Sequence, residues 1–412
     1  MGKLKSFVIT FDNNKDVYQA GEIVSGKLIA DVTEGIKARA VRARLHGFAY
    51  VHWTESHGTG EHQRTEHYSA EGTYFDQTLT VWGKDLGDKT GENPTLPAGY
   101  HEFPFQYQLG KKLPSSFEGG IGYVRYYIKG IIDRPWRFNH TTKCAFTVLD
   151  MYDLNKENSA MVSCFSSLLP SPRRLCFKIA TFSAYYTTQM QSRNQNSKTL
   201  CCLCCASGPI ELQAQTDRGG YCPGETVLVK GSLENNSNTR ITKTSARIMQ
   251  TVTFYASGRS TSRLHTLSSA VGLGCRGRTS GNIGELVLPI PAAPPSGLRY
   301  CSIINITYVA QVRAHISGPH MHLEVYLPIK IGSIPLTTPY GGFLSSEYGP
   351  AIPGVPDNLG AVAAPLPPPP TYAAVTGGGA NIRDSSDSKY TRGQLTFAPQ
   401  YMYYDWSQHP QK

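Results

Sequence analysis

The chain is poor in charged residues, which make up only 17% of it, and it has no long apolar run. No stretch approaches the roughly 20 apolar residues that a membrane-spanning helix requires. The start of the sequence is polar and strand-like, so we expect no secretory signal and predict a cytosolic protein. Its ten cysteines are then expected to stay reduced, because cytosolic thiols seldom form disulfides.

Enzyme motifs are equally scarce. We find no Gly-rich phosphate loop and no nucleophile elbow with a partner histidine, and Asp/Glu pairs are sparse. The sequence therefore predicts no catalytic residue, no cofactor and no enzyme. Five of the twelve histidines fall between residues 46 and 67, but their spacing matches neither a strand face nor a helix face. We predict a solvent-exposed hairpin there and no metal site.

Positive charge predominates, with a formal net charge of +10. From Leu336 onward the chain has four Lys/Arg and five Asp/Glu, so the excess lies on residues 1–335. A basic body favours anionic partners such as a membrane surface. Basic strand faces and loops are the candidates for contact with lipid or acidic cargo: Lys3, Lys5, Arg39, Arg42, Arg44, Lys111 and Lys112. No basic recognition helix is present, so we predict no nucleic-acid binding.

Strand patterns dominate the first 335 residues. Apolar residues alternate with polar ones, as in Val41, Ala43 and Leu45 against Arg42, Arg44 and His46. Such alternation predicts half-buried strands with one wet face, here also Tyr123, Arg125 and Tyr127. Turn residues punctuate the strands, and no long helical pattern occurs. The sequence therefore predicts an all-β fold of antiparallel sandwiches.

An internal echo indicates two copies of one sandwich. Tyr18-Gln19-Ala20-Gly21-Glu22 resembles Tyr221-Cys222-Pro223-Gly224-Glu225, and a basic strand follows each about 20 residues later. We assign residues 1–155 and 198–335 to the two sandwiches. Residues 156–197 fit neither copy and form an atypical linker or insert. Residues 336–412 are rich in Pro, Gly, Ala and Tyr, which predicts a disordered tail.

The tail carries a peptide typical of partner recruitment, Pro369-Pro370-Thr371-Tyr372. Consecutive prolines fix φ and hold a polyproline II conformation before binding. Aromatic-lined grooves of WW and SH3 domains bind such peptides, and the tyrosine after Pro-Pro-x favours a WW domain. A second candidate WW site is Pro399 with Tyr401, in Ala398-Pro399-Gln400-Tyr401, where the first proline is missing.

Four cysteines cluster before the second sandwich: Cys201, Cys202, Cys204 and Cys205. Small apolar packing in a strand is the interpretation that we favour. Acylation is an alternative, because clustered cytosolic cysteines near a membrane are substrates for palmitoylation. Zinc binding and a redox dithiol are weaker alternatives, since no second Cys or His pair follows at finger spacing.

Several short segments resemble one family in the correct order. They are Arg134-Pro135-Trp136, Phe146-Thr147-Val148, Asp153-Leu154-Asn155, Ser207-Gly208-Pro209-Ile210, residues 220–225 and residues 327–332. With the Pro-Pro-x-Tyr tail, they resemble the arrestin domain-containing proteins, or alpha-arrestins. The chain departs from that family in the length of residues 156–197 and in its degraded second tail motif.

The resemblance implies two arrestin-type, immunoglobulin-like β-sandwiches in tandem and an adaptor role. The body would recognise membrane receptors or transporters, and the tail would recruit HECT-type E3 ubiquitin ligases through their WW domains. Ubiquitination of cargo, endocytosis and sorting would follow, at the plasma membrane and endosomes. Two alternatives remain. One is a scaffolding or sorting protein that needs no ligase, and the other is a thiol-dependent regulator that binds thioredoxin, with Cys222 and Cys275 as candidate thiols.

Overall fold

A computed structural model describes residues 3–58, 63–88, 90–156, 191–202, 205–336, 379–384 and 386–404. Regular structure in these ranges is β-strand, apart from three short 3-10 turns, Asp12–Asn14, Leu154–Lys156 and Ser296–Leu298. The predicted all-β fold is confirmed. In the same ranges, no helix has the length and apolarity that a membrane span requires.

The first sandwich contains eleven strands, which are β1 Leu4–Phe11, β2 Val17–Gln19, β3 Ile23–Val32, β4 Ile36–Lys37, β5 Ala40–His57, β6 Arg64–Gly83, β7 Thr95–Leu96, β8 Gly99–Gln108, β9 Phe117–Glu118, β10 Gly122–Asp133 and β11 His140–Leu149. One sheet has the order β1-β3-β8, and the facing sheet has the order β2-β11-β10-β5-β6. The strands β4 and β7 form a separate pair.

The second sandwich follows the same plan, with strands β12 Arg193–Cys202, β13 Cys205–Thr216, β14 Gly220–Tyr221, β15 Thr226–Asn235, β16 Ile241–Ala256, β17 Arg259–Gly272, β18 Thr279–Asn282, β19 Leu286–Pro289, β20 Ile304–Ile316 and β21 Leu323–Ile331. Its sheets have the orders β12-β13-β15-β18 and β14-β21-β20-β16-β17. The strand β12 begins at Arg193, five residues before the predicted boundary at 198.

The similarity between residues 18–22 and residues 221–225 has a local structural cause. Gly21 and Gly224 have φ values of +91° and +94°, a conformation that glycine adopts without steric cost. The carboxylate of Glu22 accepts a hydrogen bond from the backbone N–H of Gln19 at 2.9 Å. Glu225 does the same for Cys222 at 2.6 Å. Each turn ends a short strand that pairs in parallel with the last strand of its sandwich, β2 with β11 and β14 with β21.

The predicted alternation holds on the core side of the strands. Val41, Ala43 and Leu45 are fully buried in the first core. The opposite face of the same sheet was expected to be wet, and there the prediction is wrong: Arg42, Arg125 and Tyr127 are buried, as is Lys129 on the same face. Another segment of the chain therefore covers this outer face.

That segment comes from the tail. It contains β22 Ala380–Asn381, β23 Thr391–Gln394 and β24 Thr396–Phe397, and we call residues 379–384 and 386–404 the docked tail. The strand β23 extends the larger sheet of the first sandwich by pairing with β11. The expectation of a disordered tail thus does not hold for this part, because β11 offers it a free edge.

The two sandwiches contact each other directly. Arg299 of the second sandwich donates hydrogen bonds to both carboxylate oxygens of Asp150, at 2.7 and 2.8 Å. The backbone N–H of Ser333 donates to the Tyr152 carbonyl at 2.8 Å. These contacts join the end of the first sandwich to the loop before β20 and to the residues that follow β21.

The buried hydroxyl of Tyr126 provides a test of this packing. It donates a 2.7 Å hydrogen bond to the Pro114 carbonyl oxygen, inside the first core. We expect Tyr126→Phe to destabilise this sandwich by about 1–3 kcal/mol, because a buried acceptor loses its donor. Denaturant unfolding followed by tyrosine and tryptophan fluorescence measures the change. Tyr100→Phe removes a hydroxyl from an exposed ring and should cost less than about 0.5 kcal/mol. Equal losses in the two variants would contradict the assignment.

Candidate functional site

Two lysines face each other on the outer side of the larger sheet of the first sandwich. Lys129 on β10 and Lys143 on β11 are register partners in the antiparallel ladder. Their side chains are only 5% and 0% exposed. Neighbouring like charges repel each other, and a buried ammonium is costly without a counter-charge. This face of the sheet therefore requires carboxylates from elsewhere in the chain.

The docked tail supplies these carboxylates. Asp387 accepts hydrogen bonds from Lys129 at 2.6 Å and from Lys143 at 3.0 Å, and so bridges the two ammonium groups. Asp384 accepts a further bond from Lys143 at 2.7 Å. The Ser386 carbonyl oxygen lies 2.7 Å from the Lys129 ammonium. Two buried cations are thus matched by two carboxylates. Their remaining donors are accepted by the carbonyl oxygens of Ser386 and Ile382 and by the Ser386 hydroxyl.

The lysines also keep both carboxylates ionised. Burial on its own raises the pKa of Asp384, but hydrogen bonds from Lys143 and Ser386 outweigh it and hold that pKa well below its ordinary value. Burial likewise raises the pKa of Asp387, and the hydrogen bonds from Lys129 and Lys143 again lower it overall. Carboxylates with depressed pKa values stabilise the folded state above their ordinary pKa. That contribution is lost as the pH falls through the lowered values, so it is complete at neutral pH.

Backbone pairing adds a steric requirement next to the lysines. The strand β23 runs parallel to β11, with Gly393 opposite Lys143. Gly393 has a φ of +106°, and a Cβ atom there would overlap the Lys143 carbonyl oxygen. Only glycine fits this position, because it has no Cβ atom. The absence of this atom lets the backbone of β23 pack directly against the backbone of β11.

The end of the docked tail crosses from the first sandwich to the second. Tyr401 is 1% exposed, and its hydroxyl donates to the Ser116 carbonyl oxygen at 2.9 Å. Three residues later, the backbone N–H of Tyr404 donates to the Pro223 carbonyl oxygen at 3.0 Å, and the Tyr404 hydroxyl donates to the Ser333 backbone carbonyl oxygen at 2.7 Å. The Tyr404 ring packs against a small apolar cluster drawn from both sandwiches, namely Tyr152, Leu154, Cys222 and Leu336. The docked tail therefore clasps the two sandwiches together.

Comparisons with known proteins match this architecture. The model of the arrestin (or S-antigen) N-terminal domain matches residues 7–155, and the model of the C-terminal domain matches residues 206–336. Arrestin domain-containing protein 17 of Caenorhabditis elegans is 30% identical over 343 residues, which are 81% of this chain and 72% of that protein. The chain belongs to the arrestin domain-containing proteins.

Two further relatives belong to the same family. Arrestin domain-containing protein 4 of Mus musculus is 29% identical over 347 residues, 83% of this chain and 74% of the relative. Thioredoxin-interacting protein of Homo sapiens is 27% identical over 335 residues, 80% of this chain and 75% of the relative. The resemblance inferred from short segments is thereby confirmed, as is the tandem of two arrestin domains.

The two candidate WW sites have different fates in this arrestin domain-containing protein. Residues 369–372 lie outside the described residues, so Pro369, Pro370, Thr371 and Tyr372 stay a prediction. Pro399 and Tyr401 lie in the docked tail, where both are buried. A WW domain cannot reach them in this conformation, and use of this second site would require release of the tail.

The cysteine cluster lies at the hairpin between β12 and β13. Cys202 pairs with Cys205 and Cys201 with Ala206 through the backbone. The side chains of residues 201–207 lie outside the described part, so packing, acylation and metal binding all stay hypotheses there. Among the residues that the structure describes, no group of three or more His, Cys, Asp or Glu could hold a metal ion.

Most of the predicted basic contact residues are already neutralised within the first sandwich. Lys5 pairs with Asp31 at 3.0 Å, and Lys3 lies 3.6 Å from Glu34. Arg39 and Arg42 share Asp133, while Arg44 pairs with Asp76 at 2.6 Å. Only Lys111 and Lys112 of that set lack such a partner among the described residues. A membrane or acidic ligand would therefore find little free charge on these faces.

The histidines do not converge. His52 and His67 stack on the β5–β6 hairpin, with ring centroids 5.7 Å apart, and His57 lies 3.8 Å from Glu55. His46 is instead buried beside Tyr127, whose hydroxyl it bonds at 3.0 Å. Burial lowers the pKa of His46. The prediction of an exposed hairpin therefore holds for His52, His57 and His67 and is wrong for His46, while His62 lies outside the described residues.

Sequence reasoning missed the lysine–aspartate site itself. One signal was present, because Arg383-Asp384-Ser385-Ser386-Asp387 is the most polar run in an otherwise weakly charged tail. Lys129 and Lys143 gave no signal, because each occupies a position that an exposed lysine would also fill.

The charge of the site can be tested with Asp387→Asn. This variant leaves two buried ammonium groups with one carboxylate, and breaking a buried pair costs about 3–5 kcal/mol. We expect the docked tail to be released, which hydrogen–deuterium exchange over residues 379–404 measures. Glu71→Gln removes the same charge from an exposed position and should leave exchange unchanged. Unaltered protection in Asp387→Asn would show that the ion pairs do not hold the tail.

The steric requirement can be tested without any change of charge. We expect Gly393→Val to separate β23 from β11, because no side chain fits against the Lys143 carbonyl. Release would uncover Cys144, whose sulfur lies 3.2 Å from the Gln394 side chain and whose thiol pKa burial raises to about 11. Thiol alkylation with mass spectrometry measures this exposure. Gly72→Val is the control, because a Cβ atom there meets nothing within 4 Å. Equal alkylation in both variants would contradict the steric role of Gly393.

Proposed function

We propose that this arrestin domain-containing protein is an adaptor that links membrane cargo to HECT-type E3 ubiquitin ligases. Receptors or transporters are the cargo, and the ligase binds Pro369-Pro370-Thr371-Tyr372 through a WW domain. Ubiquitination of the cargo then promotes its endocytosis and sorting. The protein acts from the cytoplasm at the plasma membrane and at endosomes.

The observation that carries this proposal is a Pro-Pro-x-Tyr peptide attached to a tandem arrestin body. The motif lies 36 residues after Leu336 and seven before Gly379, counted to Tyr372. It is therefore outside both sandwiches and outside the docked tail. Prolines limit the entropy that binding costs, and a WW domain offers one pocket for the prolines and another for the tyrosine ring.

One such motif supports transient recruitment. A short peptide in a single groove typically binds with micromolar affinity, about −7 to −8 kcal/mol. A second motif would add avidity by raising the effective concentration. Pro399 and Tyr401 are buried in the docked tail, so a ligase bound there would first have to displace it. The proposal therefore assigns recruitment to Tyr372 while the tail is docked.

Two rival functions have less support. A scaffold that needs no ligase would have no use for a Pro-Pro-x-Tyr peptide. A thioredoxin partner is suggested by the name of one relative, Thioredoxin-interacting protein. Thiol exchange requires an accessible thiolate, however, and Cys222 is fully buried, with burial raising the pKa of its thiol far above the ordinary value. Cys275 is half-buried, and its sulfur lies 3.0 Å from the Thr279 hydroxyl.

The proposal predicts that Tyr372→Ala abolishes binding of full-length protein to the isolated WW domains of a HECT ligase. The alanine leaves the tyrosine pocket empty, so we expect at least a tenfold loss of affinity, or about 1.4 kcal/mol or more. Isothermal titration calorimetry with purified WW domains measures it. Tyr348→Ala is the matched control, because Tyr348 lies in the same tail without the Pro-Pro sequence.

Proximity labelling in cells extends the test. Ligases should disappear from the neighbours of Tyr372→Ala while cargo proteins remain, because cargo recognition is assigned to the sandwiches. Full WW binding by Tyr372→Ala, or the loss of cargo together with the ligases, would overturn the proposed division of labour.

A further inference from the structure

The loop between β10 and β11 presents an unusual set of exposed aromatic side chains. Trp136 is fully exposed, and the Phe138 ring is 73% exposed. Tyr390 of the docked tail joins them, with its ring centroid 5.5 Å from that of Phe138. Together with Arg134 and Arg137 of the same loop, they line one shallow groove. We call these five residues the Trp136 patch.

The backbone holds the indole away from the sheet. Trp136 has a φ of +59°, a conformation that a bulky residue rarely adopts. The side chain of Asn139 closes the loop by accepting a 2.9 Å hydrogen bond from the Arg134 backbone N–H. A strained residue persists only where the surrounding structure fixes it. The exposure of Trp136 is therefore built into the loop.

Positive charge surrounds the aromatic rings. Burial and the nearby charge of Arg137 lower the pKa of Arg134. Burial, together with the charges of Arg134 and Arg392, likewise lowers the pKa of His140. The adjacent carboxylate of Asp133 is already shared by Arg39 and Arg42. Within the described ranges, no carboxylate forms an ion pair with either arginine of the patch, so its cations are left for an external anion.

Exposed aromatic rings beside unpaired cations match one environment closely. Trp and Tyr rings favour the headgroup layer of a bilayer, where an apolar body and a polar edge are both accommodated. Arginine binds phosphate groups in a bidentate manner. We propose that the Trp136 patch is a membrane-contact site that inserts Trp136 and Phe138 into the headgroup layer of anionic lipids.

The docked tail contributes directly to this surface. Tyr390 belongs to the patch, while Lys389 and Arg392 are exposed beside it. The Lys389 ammonium lies 5.2 Å from the Tyr390 ring centroid. Membrane contact is therefore complete only while the tail is docked. It does not involve Tyr372, so it is independent of the proposed ligase recruitment.

Vesicle co-sedimentation of the full-length protein tests the proposal. We expect binding to vesicles of phosphatidylcholine with phosphatidylserine, and little binding to phosphatidylcholine alone. Trp136→Asn combined with Phe138→Ser should weaken binding by about tenfold or more, because most of the inserted apolar surface is lost. Asparagine is chosen because it tolerates positive φ. Arg134→Ala with Arg137→Ala should weaken binding roughly fivefold per charge.

Matched controls separate this site from general effects. Lys111→Ala with Lys112→Ala removes the same charge from another exposed loop. Leu264→Ser with Met321→Ser removes exposed apolar side chains from the second sandwich. Both controls should bind the anionic vesicles within about twofold of the unaltered protein if the Trp136 patch is the contact site.

Tryptophan fluorescence gives a second readout. The emission should shift to the blue on addition of anionic vesicles, and Trp136→Asn should abolish most of that shift. Failure of the unaltered protein to bind these vesicles would overturn the proposal, as would equal binding by the aromatic variant. Loss with the arginine variant alone would indicate attraction without insertion and would also overturn it. WW-domain binding should be unchanged in every variant, so its failure would concern Tyr372 only.

Discussion

The pairing of two buried lysines with two aspartates from the tail is the interaction on which the arrangement of this chain depends. Lys129 and Lys143 lie side by side on a sheet face that the body of the first sandwich leaves without a counter-charge. The first sandwich is therefore complete only with a distant segment of the chain, in which the Ile382 carbonyl that Lys143 binds lies 239 residues further on. Because the same segment ends against the second sandwich, one electrostatic requirement also joins the two domains.

Sequence patterns predicted what depends on neighbours along the chain. Alternation placed Val41, Ala43 and Leu45 in the core, and the repeated Gly-Glu turns marked both copies of the sandwich. Composition also marked the tail as separate, but it could not predict the docked part. Each anchor of that part finds its partner far away: Asp384 lies 241 residues from Lys143, and Tyr401 lies 285 residues from Ser116. The residues next to Tyr401 in the sequence do not reveal such distant contacts. A tyrosine that is buried against another domain therefore looks the same in the sequence as an exposed one.

Residues of the docked tail have three different roles in the structure. Asp384 and Asp387 neutralise the sheet, Tyr390 extends the aromatic surface at Trp136, and Tyr401 fills a site in the first core. Tyr401 also belongs to the degraded Pro-x-Tyr motif, and it cannot fill the core and a WW pocket at once. Release of the docked tail would therefore take Tyr401 out of the core and make it available to a WW domain. The same release would remove Tyr390 from the surface beside Trp136.

Docking of the tail also limits how far from the first sandwich a protein bound at Tyr372 can lie. Tyr372 lies 36 residues after Leu336 and seven residues before Gly379, where the docked tail begins. Seven extended residues span at most about 25 Å, whereas the 36 residues from Leu336 could span roughly 120 Å if the far end were free. Under the proposed function, a ligase bound at Tyr372 would therefore reach mainly lysines close to the first sandwich. Release of the docked tail would lengthen this tether about fivefold, so under the proposed function docking would select acceptor lysines by their distance from the first sandwich.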